Sequence, residues 1–355
     1  MIIGGGAAGL MAGALLNENN ISYDLYEKNK IFGSKILASG NGKCNISNIK
    51  AGINLNAEGN RKYFLENRKA ITLFNNWGLY TTCDDEGRMY PISGSSKTVL
   101  ELLLSKNNSK SLHLNVDVKN IITNGNKFLF NNITYDYLIV TIGSIANIIN
   151  KKQDGYYDLI DNLGVKMTPL KPSLVGFKVK ENIKALSGLR QKANVSLYNN
   201  QELIHSEYGE VIFKDDGISG IVIMNMSYYY NHLKKLNNPY LKLELIPELS
   251  SKELSNMNKN LVLHPLLSNY LNKDWYKMVK DFKLTINATY DFNSAQVVSG
   301  GIMLSEVDKN YSYKGNKKIY FGGEILDFDA ICGGYNLDFA FNSAITIVED
   351  IINEI

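Results

Sequence analysis

The chain opens on Met1-Ile2-Ile3-Gly4-Gly5-Gly6-Ala7-Ala8-Gly9-Leu10, and this start restricts its fold more than any other stretch. Two apolar residues begin a strand, Gly4-x-Gly6-x-x-Gly9 makes the turn, and a small-residue helix follows from Ala7 to Leu16. Gly4 permits the tight turn, Gly6 lets the backbone approach a pyrophosphate, and Gly9 lets the helix lie close to the strand. Ala7 and Ala8 open the helix, where N–H groups without intrahelical acceptors face phosphate charge. A glycine triplet carries weight only in its context. Residues 22–27 supply it, reading as a second strand that ends in Glu27, where an acid can hold a ribose hydroxyl roughly twenty residues past the glycines. Lys28 adjoins that acid and is grouped with it.

At 355 residues the chain exceeds one simple Rossmann unit, so two or three domains are expected. A net charge of +3 without any basic run argues against a nucleic-acid partner. No apolar stretch reaches the length of a membrane span. The first strand starts with the chain, so no signal peptide is expected ahead of it. Cys44, Cys83 and Cys332 form no CxxC pair, and His113, His205, His232 and His264 are scattered, so a reduced, cytoplasmic protein without a metal site is expected. Nothing in the sequence speaks to oligomeric state.

The pattern predicts a helix over 59–76 with Phe64, Leu65 and Phe74 among its apolar positions. Ser95 and Ser96 are read as the cap of a helix through Leu104, and the period-two run 112–118 as a strand. The continuous apolar run 137–143 looks like a strand buried on both faces of a parallel sheet. Beyond Pro169 the character changes to short strand-like runs at 174–179, 193–198, 210–213 and 240–246. A Lys/Asn-rich helical stretch, 250–283, carries Trp275. The first sheet then resumes with 317–322, and a final amphipathic helix starts at Gly333.

A nicotinamide dehydrogenase needs only the N-terminal fingerprint, whereas this chain has three further dinucleotide signals, which favours FAD. The first is the turn Thr141-Ile142-Gly143 after a buried strand. The second is Phe321-Gly322-Gly323-Glu324, whose acid can accept hydrogen bonds from a ribityl chain. The third is Gly333-Gly334-Tyr335-Asn336, where a helix N-terminus would stabilise charge on the N1/O2 edge of a reduced flavin. Asn336→Ala is expected to leave folding largely intact and shift the flavin potential. The loop Ser39-Gly40-Asn41-Gly42-Lys43-Cys44-Asn45 suits a flavin cradle. Its glycines allow close approach, Ser39, Asn41 and Asn45 offer donors and acceptors, and Lys35 or Lys43 can meet negative charge. Val118, at the end of the strand 112–118, completes the candidate cofactor-binding set. Cys44 and Cys332 adjoin predicted flavin turns, either as packing groups or as a redox pair. Arg88 reads either as an anion ligand or as a structural arginine. No His or Cys stands out for covalent attachment, so the FAD is expected to be non-covalent.

The stretch from Ser34-Lys35-Ile36 to Ser47-Asn48 closely resembles the loop signature of the HI0933-like flavoproteins, also called the aminoacetone oxidase-like or BaiN-like FAD-dependent oxidoreductases. The resemblance continues through Glu86-Gly87-Arg88-Met89-Tyr90-Pro91, Leu170-Lys171-Pro172-Ser173-Leu174-Val175, Gly217-Ile218-Ser219-Gly220 and Cys332-Gly333-Gly334-Tyr335-Asn336-Leu337. It implies an α/β fold: a glutathione-reductase-type, FAD-binding Rossmann domain interrupted by an inserted β-rich domain and a helical subdomain. The expected boundaries are 1–171 with 295–355 for the FAD-binding domain, 172–249 with 284–294 for the β-rich insert, and 250–283 for the helical subdomain. The family's usual A-T-G-G turn is replaced here by Thr141-Ile142-Gly143-Ser144.

The expected activity is hydride transfer to or from flavin N5 with a small organic substrate, with NAD(P)H as a transient electron donor. No residue announces itself as catalytic acid or base. The alternatives are an FAD-dependent RNA-modifying enzyme, which shares the fingerprint, and a flavin-binding redox sensor without turnover.

Overall fold

The two-residue strand Ile2–Ile3 pairs in parallel on both sides, with Leu25–Glu27 and with Leu138–Val140. It lies inside a six-stranded sheet that runs, in spatial order, Ser312–Tyr313, Asn316–Phe321, Leu138–Val140, Ile2–Ile3, Leu25–Glu27, Leu112–Leu114. All neighbours are parallel except the edge pair Ser312–Tyr313 with Asn316–Phe321. The chain first builds outward on one side of Ile2–Ile3 and later on the other. Such a reversal opens a crevice at the carboxyl ends of the central strands, where doubly wound folds bind ligands.

The computed structural model describes residues 1–51, 68–147 and 157–355, which fall into two compact units. The first holds the described parts of Met1–Ile145, residues 157–170 and Gly300–Ile355; the second holds 146–147 and Lys171–Ser299. The predicted helix 59–76 lies partly outside the described residues, Phe64 and Leu65 included; its described part is Ala70–Asn76.

In the first unit the helix Ala7–Glu18 is buried over most of its surface, which its small residues permit. The long helix Tyr335–Glu354 turns Phe341, Ala344, Ile347 and Val348 into the same core, where full burial of each larger side chain stabilises by about 1.5–3 kcal/mol. Two local expectations need correction. Ser95 stands at the N-cap of Ser96–Lys106 but its side chain makes no capping hydrogen bond. The strand expected at 112–118 ends at Leu114, because Asn115 turns left-handed (φ 59°) and takes the chain out of the sheet. Val116 still donates its N–H to the Glu27 carbonyl, and Val118 is buried.

The second unit is a closed six-stranded barrel in the order Phe177–Val179, Gly217–Ser219, Glu202–Phe213, Arg190–Asn199, Pro239–Glu244, Phe282–Thr289. Alternate residues such as Ala193, Val195 and Leu197, or Leu241 and Leu243, point into its core, as a barrel wall requires. The Lys/Asn-rich stretch forms four short helices, Ser251–Ser255, Lys259–Val262, Pro265–Tyr270 and Trp275–Met278. Ser250 and Glu253 close a reciprocal capping box on the first of them. Leu254, Leu267 and Trp275 bury against the barrel core. Among the described residues no helix is long and apolar enough to cross a membrane.

Candidate functional site

Four adjacent parallel strands end at the same side of the sheet, and the turns that follow them carry most of the candidate residues. After Ile2–Ile3, Gly4 takes φ 102°, and a Cβ there would lie 2.4 Å from the Thr141 carbonyl oxygen. A Cβ on Gly9 would lie 1.9 Å from the Gly4 carbonyl oxygen, so the helix touches the strand through backbone alone. Gly6 behaves differently. It is the N-cap of Ala7–Glu18, offers no side-chain cap, and has nothing within 4 Å of a built Cβ. The helix N-terminus therefore presents N–H groups beside open space, as a phosphate site requires.

Glu27 ends the second strand and is buried. Its Oε2 accepts the Gly5 N–H at 2.8 Å, and its Oε1 accepts the Asn29 N–H at 2.8 Å and the Asn29 amide at 2.5 Å. Its carboxylate thus closes the glycine turn, with both lone-pair sites of Oε1 used and one left on Oε2. Lys28 beside it is exposed.

The third and fourth turns meet over Lys35. Thr141 Oγ1 donates into the first turn, with the Gly4 carbonyl 2.9 Å away. Gly143 follows with φ 72°. Lys35 Nζ, from the short helix Ser34–Ala38, donates to the Ser144 carbonyl and Oγ, each at 3.0 Å, and to Glu324 Oε2 at 2.9 Å. Gly323 sits so near the first helix that a Cβ would be 3.1 Å from the Ala8 Cβ. The other Glu324 oxygen, Oε1, is buried with no hydrogen-bond partner among the described residues. Burial and the nearby Glu324 charge push the Tyr157 hydroxyl pKa upward.

The Ser39–Gly42 loop is a single tight turn with left-handed residues at Gly40, Asn41 and Gly42. Gly40, Asn41, Gly42 and Lys43 are exposed, and Ser39 Oγ donates to the Ile36 carbonyl at 2.7 Å. Cys44 is fully buried, and burial pushes its thiol up to about 11 against a weaker opposing hydrogen bond from Ser39. None of Cys44, Cys83 and Cys332 forms a disulfide among the described residues. With its amide oriented to suit its neighbours, Asn45 accepts the Gly334 N–H at 3.0 Å and donates to the Ser47 carbonyl at 2.9 Å. One N–H of the final glycine turn is therefore already engaged by the protein.

Tyr335 and Asn336 open the last helix, and Tyr335 is buried, which raises its hydroxyl pKa. The Asn336 side chain is committed: its amide pairs with both backbone groups of Ala330, each at 2.9 Å. Asp338, one turn further on, accepts from Ser47 Oγ at 2.6 Å and from Arg68 Nε at 2.9 Å. Arg68 also donates to Ser47 Oγ, at 2.7 Å. The sequence reading missed this buried network. Its signals were an acid within the mostly apolar stretch of the last helix and an arginine in a chain whose basic residues are mostly lysine. Arg88, read either as an anion ligand or as a structural arginine, is paired with Asp84 at 2.7 Å and with Glu86.

An FAD would fit these residues. The uncapped helix start beside Gly6 suits the pyrophosphate, and a buried carboxylate oxygen without a donor suits a hydroxyl. The structure links the turns at Gly4, Thr141 and Gly323, joins Lys35 to Ser144 and Glu324, and joins Asn45 to Gly334; Lys28, Asn41 and Gly42 stand at the surface.

The HI0933-like protein Rossmann domain family matches residues 1–349. The chain is 26% identical to a 3-dehydro-bile acid delta(4,6)-reductase of Clostridium scindens, over 96% of this chain and 95% of the relative. It is 25% identical to a ribosomal RNA dihydrouridine synthase of Haemophilus influenzae, over 97% and 96% of the two chains. Among solved structures, 3-ketosteroid delta1-dehydrogenase from Sterolibacterium denitrificans shares the fold, with a TM-score of 0.50 and 10% identity, covering 98% of this chain and 99% of that one. The chain belongs to the HI0933-like Rossmann-domain family, and the protein is an FAD-dependent oxidoreductase.

Proposed function

We propose that the protein holds FAD non-covalently and saturates a carbon–carbon double bond conjugated with a carbonyl in a small-molecule substrate. The observation that carries the cofactor assignment is the buried, unpartnered Glu324 Oε1 at the carboxyl end of a parallel sheet. The helix start at Gly6, Ala7 and Ala8 would take the pyrophosphate, and Glu27 the adenosine ribose. Glu324 would take a ribityl hydroxyl, and the first turn at Tyr335 and Asn336 the polar edge of the ring. When bound, FAD supplies hydride chemistry; the protein supplies binding, orientation and charge stabilisation.

The substrate class is argued from the relatives. A delta(4,6)-reductase and a dihydrouridine synthase, by their names, both saturate a double bond next to a carbonyl system. A nicotinamide cofactor is proposed as the transient electron donor. The test is anaerobic titration of the purified yellow protein with NADH, NADPH and a panel of amines as candidate reductants, then reoxidation of the reduced protein by a panel of enones. Enone-dependent reoxidation supports the proposal. Reoxidation by oxygen alone would favour the sensor, and turnover of amines would reject the double-bond assignment.

A second reading, an RNA substrate, is favoured by the names of two relatives, 25% and 21% identical over nearly the whole chain. The low net charge weighs against it. A salt-dependent gel shift with ribosomal RNA fragments separates the two, since phosphate contacts give a steep salt slope and a small enone does not.

A further inference from the structure

Lysine has three ammonium protons and no acceptor. Lys35 has three acceptors within 3.0 Å: the Ser144 carbonyl, Ser144 Oγ and Glu324 Oε2. Every donor is spent within the protein, so this lysine has none left for a phosphate or a flavin oxygen. The three groups it gathers come from distant parts of the chain: the short helix Ser34–Ala38, the turn after Leu138–Val140, and the turn Gly323–Ile325. Its own helix is entered through Gly33, which is left-handed at φ 64° and ψ 25° and aims the first helical turn at the sheet end.

The consequence falls on Glu324. Lys35 engages Oε2 and leaves Oε1 buried and bare. A carboxylate free to rotate would exchange its two oxygens; one held by an ion pair cannot do so without breaking that pair. Glycine at 143 keeps the approach open, since a Cβ there would meet nothing nearer than Glu324 Oε2, at 4.0 Å.

On the FAD reading above, we infer that Lys35 is a positioning residue: it touches no cofactor atom, and it fixes the Glu324 carboxylate so that Oε1 accepts a hydroxyl of the ribityl chain. The role differs from that of a lysine that meets cofactor charge directly, and the difference is measurable. If Lys35 acts through Glu324, its loss matters only while Glu324 is a carboxylate able to pair with it.

The test is a double-mutant cycle on FAD affinity, read by flavin fluorescence quenching on deflavinated protein, with far-UV circular dichroism confirming the fold of each variant. Lys35→Met should weaken FAD about tenfold, the scale of one hydrogen bond to a charged group discounted for a half-exposed lysine. In the Glu324→Gln background the same substitution should change affinity less than twofold, and Lys35→Arg should restore most of the wild-type value. Equal losses in both backgrounds would mean that Lys35 meets the cofactor itself, and would overturn the inference. So would an unchanged affinity in Lys35→Met. Failure of the FAD reading looks different: the wild-type protein itself would then show no quenching with FAD, and both would fall. Should Lys35→Met not fold, Lys35→Gln in the same cycle carries the test, because it retains a donor without the charge.

Discussion

Asn336 grips both backbone groups of Ala330, accepting its N–H and donating to its carbonyl, each at 2.9 Å. The sequence marked the backbone N–H of this residue for the flavin edge, and its side chain braces the segment ahead of the last helix. Asn336→Ala should cost about 1–3 kcal/mol, because two backbone groups lose partners in a half-buried place. Urea unfolding of the apo-protein checks this. An unchanged midpoint would return Asn336 to a purely cofactor-facing role.

Gly6 and Gly9 should fail in opposite ways. A Cβ on Gly9 meets the Gly4 carbonyl at 1.9 Å and Thr141 Oγ1 at 2.8 Å, so Gly9→Ala forces the helix off the strand and costs about 1–3 kcal/mol or more. Gly6→Ala meets no atom and should keep apo-stability within about 1 kcal/mol, while placing a methyl where the pyrophosphate is proposed to lie. Melting curves paired with FAD titrations separate the two. Wild-type FAD affinity in Gly6→Ala would remove the phosphate from that turn.

Glu27→Ala should weaken FAD and also destabilise the apo-protein. The carboxylate holds the Gly5 N–H and the Asn29 N–H, both of which lose their partner. A cost of about 1–3 kcal/mol is expected without any cofactor present. If apo-stability is unchanged and only FAD affinity falls, the hydrogen bonds that close the glycine turn contribute nothing.

Cys44 makes stability depend on alkaline pH. Burial pushes its folded-state thiol up to about 11, while in the unfolded chain a thiol ionises near 8.5. The folded state therefore binds the proton more tightly, so this contribution is complete below about pH 8.5 and is lost as pH rises towards 11. By then the loss amounts to about 3 kcal/mol, and Cys44→Ala should flatten that part of the decline relative to wild type. Iodoacetamide mapping gives a second check: exposed Cys83 should be alkylated in the native protein and Cys44 only on unfolding.

The glycine turn, the acid at Glu27, and the Phe321-Gly322-Gly323-Glu324 and Gly333-Gly334 signals were legible because each is local: a strand end, a turn and a helix start lie within a few consecutive residues. The barrel strands were legible as short alternating runs, though Glu202–Phe213 was seen only at its last four residues, since exposed polar positions hide its start. The strand expected to reach Val118 stopped at Leu114, because one left-handed asparagine carries no hydropathy signal.

What the sequence determined by itself is the kind of turn at each strand end and the kind of ligand those turns suit. The partners were decided only in three dimensions. That Lys35 spends its charge on Glu324, that Asn336 braces Ala330, and that Arg68 and Ser47 hold Asp338 all follow from distances between residues remote in the chain. Side-chain hydrogen bonds depend on ångström separations set by packing of the sheet and its helices, and no spacing along the sequence encodes them.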